Sequence, residues 1–249
     1  MSCINAVPMS DDGYVIVRQQ AGPFVKAYAT DRKAFVKWNR GRSPGEVRRR
    51  CGPAMCRTSL DKLEVRLALF YYDGVFYSLT FTPENTPKNY QETKARWEAF
   101  LKKLKRWWAS LRAKEAPDLP KEFDYVYRIE RLHENWHLHC FLRYSDFPPA
   151  VVRWLWDWGV AEDEPWTYKR VHEEGGYRGL AIYFTKEVPE VGRHPWGTNR
   201  GLSKKIPAPK ISFSKSGQII PPKGSVLLPV KDPGKTPWGI FQHCRYLTS

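Results

Sequence analysis

Two histidines flank a leucine in "WHLHC", His137 and His139, and a tyrosine precedes a lysine by three residues in "YFTK", Tyr183 and Lys186. Residues i and i+2 of a strand project from the same face, roughly 6.5–7 Å apart along it. Two imidazoles at that spacing can converge on a single divalent ion. Trp136, Leu138, Cys140 and Leu142 alternate with them, so the opposite, apolar face supplies the core and the histidines are not needed to fill it. Glu130, in the preceding segment "DYVYRIERL", joins the histidine face if the intervening turn has an even number of residues. Two imidazoles and one carboxylate leave coordination positions open on a metal, which is a catalytic arrangement rather than a closed structural one.

Tyr183 and Lys186 stand at i and i+3 of "YRGLAIYFTKEV", a spacing that puts both on one face of a helix. A phenol ionises near about 10 in water. It becomes a useful nucleophile toward phosphorus where cations lower the cost of its anion and of the pentavalent transition state. A lysine one turn away supplies one such cation, and a metal on a facing sheet would supply another. Of the remaining histidines, His133 reads as a turn residue, and His172, His194 and His243 read as surface or loop residues.

The elements that must position these groups follow from hydrophobic period. "VFYSLTFT", Val75 to Thr82, alternates as a strand, with Tyr77, Leu79 and Phe81 on one side and Ser78, Thr80 and Thr82 on the other. In "NYQETKARWEAFLKKLKRWWASLRAK" the residues Trp97, Phe100, Leu101, Leu104, Trp108 and Leu111 recur at three and four, opposite the lysines, which predicts an amphipathic helix. "DYVYRIERL" and "WHLHCFLRY" read as paired strands turning near His133 to Asn135, "PPAVVRWLWDWG" as a helix opened by Pro148, "WTYKRV" as a further strand, and the tyrosine segment as a helix from near Gly176. "KLEVRLALFYYDG" fits either helix or strand, ended by a turn at Asp73–Gly74. The order β–α–β–β–α–β–α predicts an α+β domain, one central antiparallel sheet with packed helices. The first sixty residues read as basic and weakly patterned. From Pro189 onward proline and glycine are frequent, and the end of the chain reads as loop-rich. The division expected is a basic N-terminal region over 1–61, a central domain over 62–206 and a basic tail over 207–249.

The chain has 249 residues with 41 Lys and Arg against 26 Asp and Glu, a formal charge of +15. That surplus predicts a polyanionic partner. Eleven Trp, thirteen Tyr and twelve Phe favour single-stranded nucleic acid over a membrane surface, because aromatic faces stack on unpaired bases. No apolar run reaches the ~20 residues of a membrane span. The opening "MSCINAVPMSDDGYVIV" has no basic stretch followed by an apolar one, so no signal peptide is expected. Five scattered cysteines argue against a disulfide framework and for a reducing cytoplasm. "PVKDPGKTPWG" contains Gly234-Lys235-Thr236, but Pro229 stands where a phosphate loop has its first glycine and Pro237 follows at once, so no nucleotide site is expected there.

Taken in order, "FYSLTFT", "WHLHC" and "YFTK" resemble three motifs of the HUH endonucleases, specifically the rolling-circle replication initiators of small DNA phages and plasmids. "HPWGTNRGLSKKI", His194 to Ile206, resembles a segment that follows the tyrosine helix in phage members. The resemblance covers roughly residues 62 to 206. It implies a sheet of the HUH type, ferredoxin-like and RRM-related. His137, His139 and Glu130 would bind Mg²⁺ or Mn²⁺. Tyr183 would attack the scissile phosphate to leave a 5′-phosphotyrosine link and a free 3′-hydroxyl, and Lys186 would position the metal or neutralise the phosphate. Arg128, Arg193, Trp196, Arg200, Lys204 and Lys205 are expected at the DNA. The partners implied are single-stranded DNA at a replication origin and a host helicase and polymerase, in the bacterial cytoplasm. A relaxase, a single-strand transposase or a non-catalytic single-strand binder would share the same composition. Some phage initiators carry a second tyrosine four residues after the first; Glu187 stands there, so a single-tyrosine enzyme is expected. Cys51 and Cys56 stand where some relatives carry a closer pair, a weak zinc signal.

Overall fold

The structure is a computed structural model and describes residues 13–33, 35, 53–132, 135–186, 196–230 and 240–248. Arg48 to Arg50, the Cys51/Cys56 pair, the turn at His133, Arg193 and Gly234–Thr236 fall outside the described residues or side chains. The chain is α+β, with two antiparallel sheets of five strands rather than the single sheet expected. It divides into two compact units, one of residues 69–206 and one assembled from both ends of the chain, 1–68 with 207–249.

The end-built unit starts with a hairpin, β1 (Tyr14–Ala21) and β2 (Phe24–Asp31), whose turn uses Gly22 at a positive φ of 54° and Pro23. The C-terminal segment was expected as a loop-rich tail. It instead supplies β8 (Lys210–Ser214), β9 (Val226–Leu227) and β10 (Ile240–Leu247), in the sheet order β8-β1-β2-β10-β9. One face buries Ile16, Val25, Ala27, Ala29, Cys244 and Tyr246 against Ile219. On the other face, helix α1 (Pro53–Ala68) is pinned by two ion pairs, Lys26 to Asp61 at 2.5 Å and the buried pair Arg245 with Glu64.

The central unit is a sheet in the order β6-β3-β5-β4-β7, made of β3 (Gly74–Leu79), β4 (Val126–Leu132), β5 (Asn135–Arg143), β6 (Ala161–Trp166) and β7 (Gly197–Thr198). Helices α2 (Tyr90–Lys114) and α3 (Pro149–Leu155) pack on one face. The Asn89 side chain caps the start of α2 by accepting the Glu92 N–H at 2.9 Å, and Glu92 reaches back to the Lys88 N–H at 2.9 Å. The expected stripe of α2 is its buried face: Trp97, Phe100, Leu104 and Trp108 enter one core with Val75, Tyr77 and Leu79 of β3 and Leu138, Cys140 and Leu142 of β5. Trp97 also stacks on Tyr127 of β4, ring centres 4.5 Å apart. Truncating such a buried tryptophan costs about 3–5 kcal/mol. Because strand residues alternate, holding Tyr127 and Ile129 toward α2 turns Arg128 and Glu130 to the opposite face.

That opposite face is covered at one end by α4 (Tyr168–Glu173), α5 (Arg178–Thr185) and neighbouring loops. Phe76 and Phe184 meet edge to face, Tyr177 stacks on Trp166, and Phe70 packs edge-on to Phe141. Gly74 is needed in this layer, since a Cβ there would lie 2.0 Å from the Phe141 ring. "WTYKRV", expected as a strand, straddles the end of β6 and the start of α4. Thr167 caps the helix by accepting the Arg170 N–H. Helix α6 (Arg200–Lys204) follows β7.

Candidate active site

The β4–β5 pairing sets Glu130 directly opposite His137 and Arg128 opposite His139, while β3 sets Ser78 opposite His139. Cross-strand partners share a face, so all five side chains project from the face away from α2. This strand register places Glu130 on the histidine face, the placement that the sequence left conditional. The two imidazoles lie nearly parallel, with ring centres 6.5 Å apart.

His139 is the hub. Its Nε2 lies 2.8 Å from Glu130 Oε2 and its Nδ1 lies 3.3 Å from the Ser78 hydroxyl. A carboxylate only accepts, so Nε2 carries the proton, and in the neutral imidazole Nδ1 accepts from Ser78. Phe76 stacks on the ring at 5.3 Å and fixes its plane. Helix α5 then delivers Tyr183 onto this hub. Its hydroxyl lies 3.1 Å from His139 Nε2 and 3.4 Å from Glu130 Oε2, and its ring meets Phe76 edge-on. The apolar side of α5, Leu180, Ala181 and Phe184, is buried, which leaves Tyr183 37% exposed and open to a substrate from outside.

Arg128 occupies a different position from the one expected. It is 2% exposed, so it does not meet DNA from the surface. Its guanidinium donates to Glu130 Oε1 at 3.3 Å and to the main-chain carbonyl of Tyr183. One buried cation thus ties the carboxylate to the helix that carries the tyrosine. The hydrogen bond from His139 and the charge of Arg128 outweigh burial and hold Glu130 below the usual carboxylate range. Burial, with the neighbouring His139, pushes His137 below the usual imidazole value, against a smaller opposing pull from Glu130.

Lys186 caps the C-terminal end of α5, with its N–H 3.4 Å from the Tyr183 carbonyl and its side chain exposed. Among the other cations expected at DNA, Arg200 and Lys204 are exposed on α6. Lys205 is also exposed, but its ammonium is 2.7 Å from the buried carboxylate of Asp124. Trp196 is half-buried just before β7. Ser78 and Phe76, and the anchoring role of Arg128, were not read from the sequence. The alternation of Ser78, Thr80 and Thr82 away from the core was the available signal for the serine.

Two imidazoles and a carboxylate on one face fit a divalent ion by donor type. Among the described residues, no group of three or more His, Cys, Asp or Glu side chains is set around a common point as a metal centre. In this structure His139 and Glu130 converge with the tyrosine, and His137 stands beside them. No helix among the described residues is long and apolar enough to cross a membrane. Comparisons with protein-family models, with curated proteins and with solved structures return no match.

Proposed function

We propose that the chain is a single-strand DNA nickase and ligase of the HUH type that initiates rolling-circle replication, with Tyr183 as its nucleophile. The observation that carries the reading is the meeting of two motifs that lie far apart in the chain. The hydroxyl of the "YFTK" tyrosine lies within hydrogen-bonding distance of the second histidine of "WHLHC". Either motif alone has an ordinary structural explanation. A phenol 37% exposed over an imidazole and a carboxylate does not follow from core packing.

In the proposed reaction the Tyr183 oxygen attacks the scissile phosphorus. The phenol gives up its proton toward Glu130, which accepts its hydrogen bond, as the new bond joins the tyrosine oxygen to phosphorus. The bond from phosphorus to the 3′-oxygen breaks, and the departing oxygen takes up one proton in exchange to become a free 3′-hydroxyl. The phosphodiester count is conserved, so attack by a 3′-hydroxyl on the phosphotyrosine reverses the step and reseals a strand. Glu130 and His139 hold the phenol in place before attack, and Arg128 holds the helix turn that carries it. Held by His137, His139 and Glu130, Mg²⁺ or Mn²⁺ would supply Lewis-acid polarisation of the phosphate. Lys186 and the exposed cations of α6, Arg200 and Lys204, would meet the DNA backbone. The 3′-hydroxyl would prime a host polymerase, with strand separation left to a host helicase.

The test incubates the protein with a pool of single-stranded oligonucleotides and Mn²⁺ and looks for an SDS-resistant protein–DNA adduct. The wild type should form it. Tyr183→Phe should not, while still binding the pool. An adduct that persists in the Phe variant would move the nucleophile elsewhere, and no adduct from the wild type on any sequence would favour a non-catalytic binder.

A further inference from the structure

The charge surplus is not where the chemistry is. Residues 69–206 hold 22 Lys and Arg against 19 Asp and Glu, a surplus of three, whereas residues 1–68 and 207–249 together hold 19 against 7, a surplus of twelve. The unit that carries the candidate active site is therefore close to neutral, and the unit built from the two chain ends carries most of the net charge of +15. A surplus this concentrated marks the part of a protein that meets a polyanion.

That same unit has an edge with the residues to do more than hold phosphates. Among the described residues strand β8 lies at the end of its sheet and pairs with β1 alone. Ile211 and Phe213, two residues apart and so on one face of the strand, are 54% and 69% exposed. The Arg32 guanidinium lies over the Phe213 ring, 5.2 Å from its centre. Lys210 begins the strand and Lys215 follows its end. A large exposed aromatic on an edge strand is a liability for a protein that only needs to stay folded. Beside arginine and lysine it has the composition of a surface on which unpaired bases stack while cations meet the backbone.

We infer that the β8 edge, with Phe213 and Ile211 as the stacking surface and Arg32, Lys210 and Lys215 as the phosphate contacts, is a second site for single-stranded DNA on the end-built unit. It grips the strand without regard to cleavage. The inference rests on the reading of the chain as a single-strand DNA enzyme, and it assigns the grip to residues outside the unit that carries Tyr183.

The test uses the full chain and a fluorescent oligothymidylate of about 20 nucleotides, with anisotropy followed over a range of salt concentrations. Phe213→Ala should weaken binding by about 5- to 100-fold, the range of one lost base stack, and leave the slope of log K against log salt unchanged. Arg32→Ala should weaken binding and make the slope shallower by about 0.7. Neither exposed substitution should alter the melting temperature, and Phe213→Ala should leave affinity for a duplex of equal length unchanged. Affinity for the single strand within twofold of wild type in both Phe213→Ala and Ile211→Ala would overturn the assignment. So would sedimentation showing that these substitutions dissolve a dimer while oligothymidylate binding is kept, because the edge would then serve a second copy of the chain. The two proposals can fail separately. Loss of binding in Phe213→Ala from a protein that forms no adduct would remove the nuclease and keep the platform. An adduct formed by a chain indifferent to Phe213→Ala would do the reverse.

Discussion

Arg128→Gln tests whether the buried cation holds the site together. Arg128 and Glu130 are both inside the protein, at 2% and 7% exposure, so removing the cation leaves a buried carboxylate short of a partner. Breaking a buried ion pair costs about 3–5 kcal/mol. Here the contact is 3.3 Å rather than short, and Glu130 keeps His139 at 2.8 Å, so the lower part of that range, about 3 kcal/mol, is expected. For a unit of this size each kcal/mol moves the melting temperature by about 3–5 °C, which predicts a fall of roughly 10 °C. The pairwise term can be isolated by a cycle with Glu130→Gln. If the two groups act on each other, the double variant should be more stable than the sum of the single losses implies, by at least about 1 kcal/mol. Adduct formation should fall in Arg128→Gln even at temperatures where the variant is fully folded, because the Tyr183 carbonyl loses its anchor. Arg128→Lys, which keeps the charge, should restore part of the rate. A melting temperature within 2 °C of wild type (well under the roughly 3–5 °C per kcal/mol above), with an additive cycle and an unchanged adduct rate, would refute the anchoring role.

His137→Ala and His139→Ala should each weaken Mn²⁺ binding by at least about tenfold, read by calorimetry; unchanged affinity in both would defeat the assignment of His137, His139 and Glu130 as metal ligands. A further prediction concerns Asp146, whose carboxyl is pushed up to about 6, first by burial and then by Asp73 and Asp124, against the opposing charges of Arg143 and Lys205. A folded-state value above the unfolded one means that stability is fullest below about pH 4 and falls as pH rises through 6. Asp146→Asn should therefore stabilise by about 1 kcal/mol at pH 7.5, after discounting for partial exposure, and by nothing near pH 4. A gain in melting temperature that is the same at both pH values would contradict this.

The parts of the fold that could be read locally are those whose side chains face one core. The stripe of α2 and the alternation of β3, β4 and β5 report burial against the same layer, and each was legible as a helix or strand. The misplaced strand shows the limit. β6 is "AEDEPW", with little apolar alternation and a proline at 165. It can be so because it lies at the edge of its sheet, where an outward-facing backbone tolerates proline and the side chains meet water. The Trp, Tyr and Val of "WTYKRV" beside it drew the assignment by composition, yet its threonine begins a helix. The ends of the chain were missed for another reason. "YVIVRQQAGPFVKAYATD" contains a hairpin signal at Gly22–Pro23, but nothing near it announces that β2 will pair with β10, Tyr28 opposite His243. A pairing across more than two hundred residues leaves no local period.

The candidate site divides along the same line. Strand geometry alone places His137 and His139 on one face, and turn parity places Glu130 with them, because those relations are short-range. Where Tyr183 would land depends on α5 burying Leu180, Ala181 and Phe184. No spacing in the sequence reports that. Arg128 reads as a surface cation in a basic chain until the sheet is built, and then it is interior, with Glu130 beside it. The charge distribution is the mirror image of this. In the sequence the cations of the two ends read as separate basic extensions, and the β1–β8 and β2–β10 pairings join those ends into one folded unit. On the two proposals the chemistry and the grip fall on different units, which has a consequence for how defects should sort. Changes at Phe213 or Arg32 should act on affinity at low DNA concentration and be rescued by saturation. Changes at Tyr183, His139 or Arg128 should persist at saturating DNA, because a strand already bound still meets a site whose proposed nucleophile is missing or misplaced.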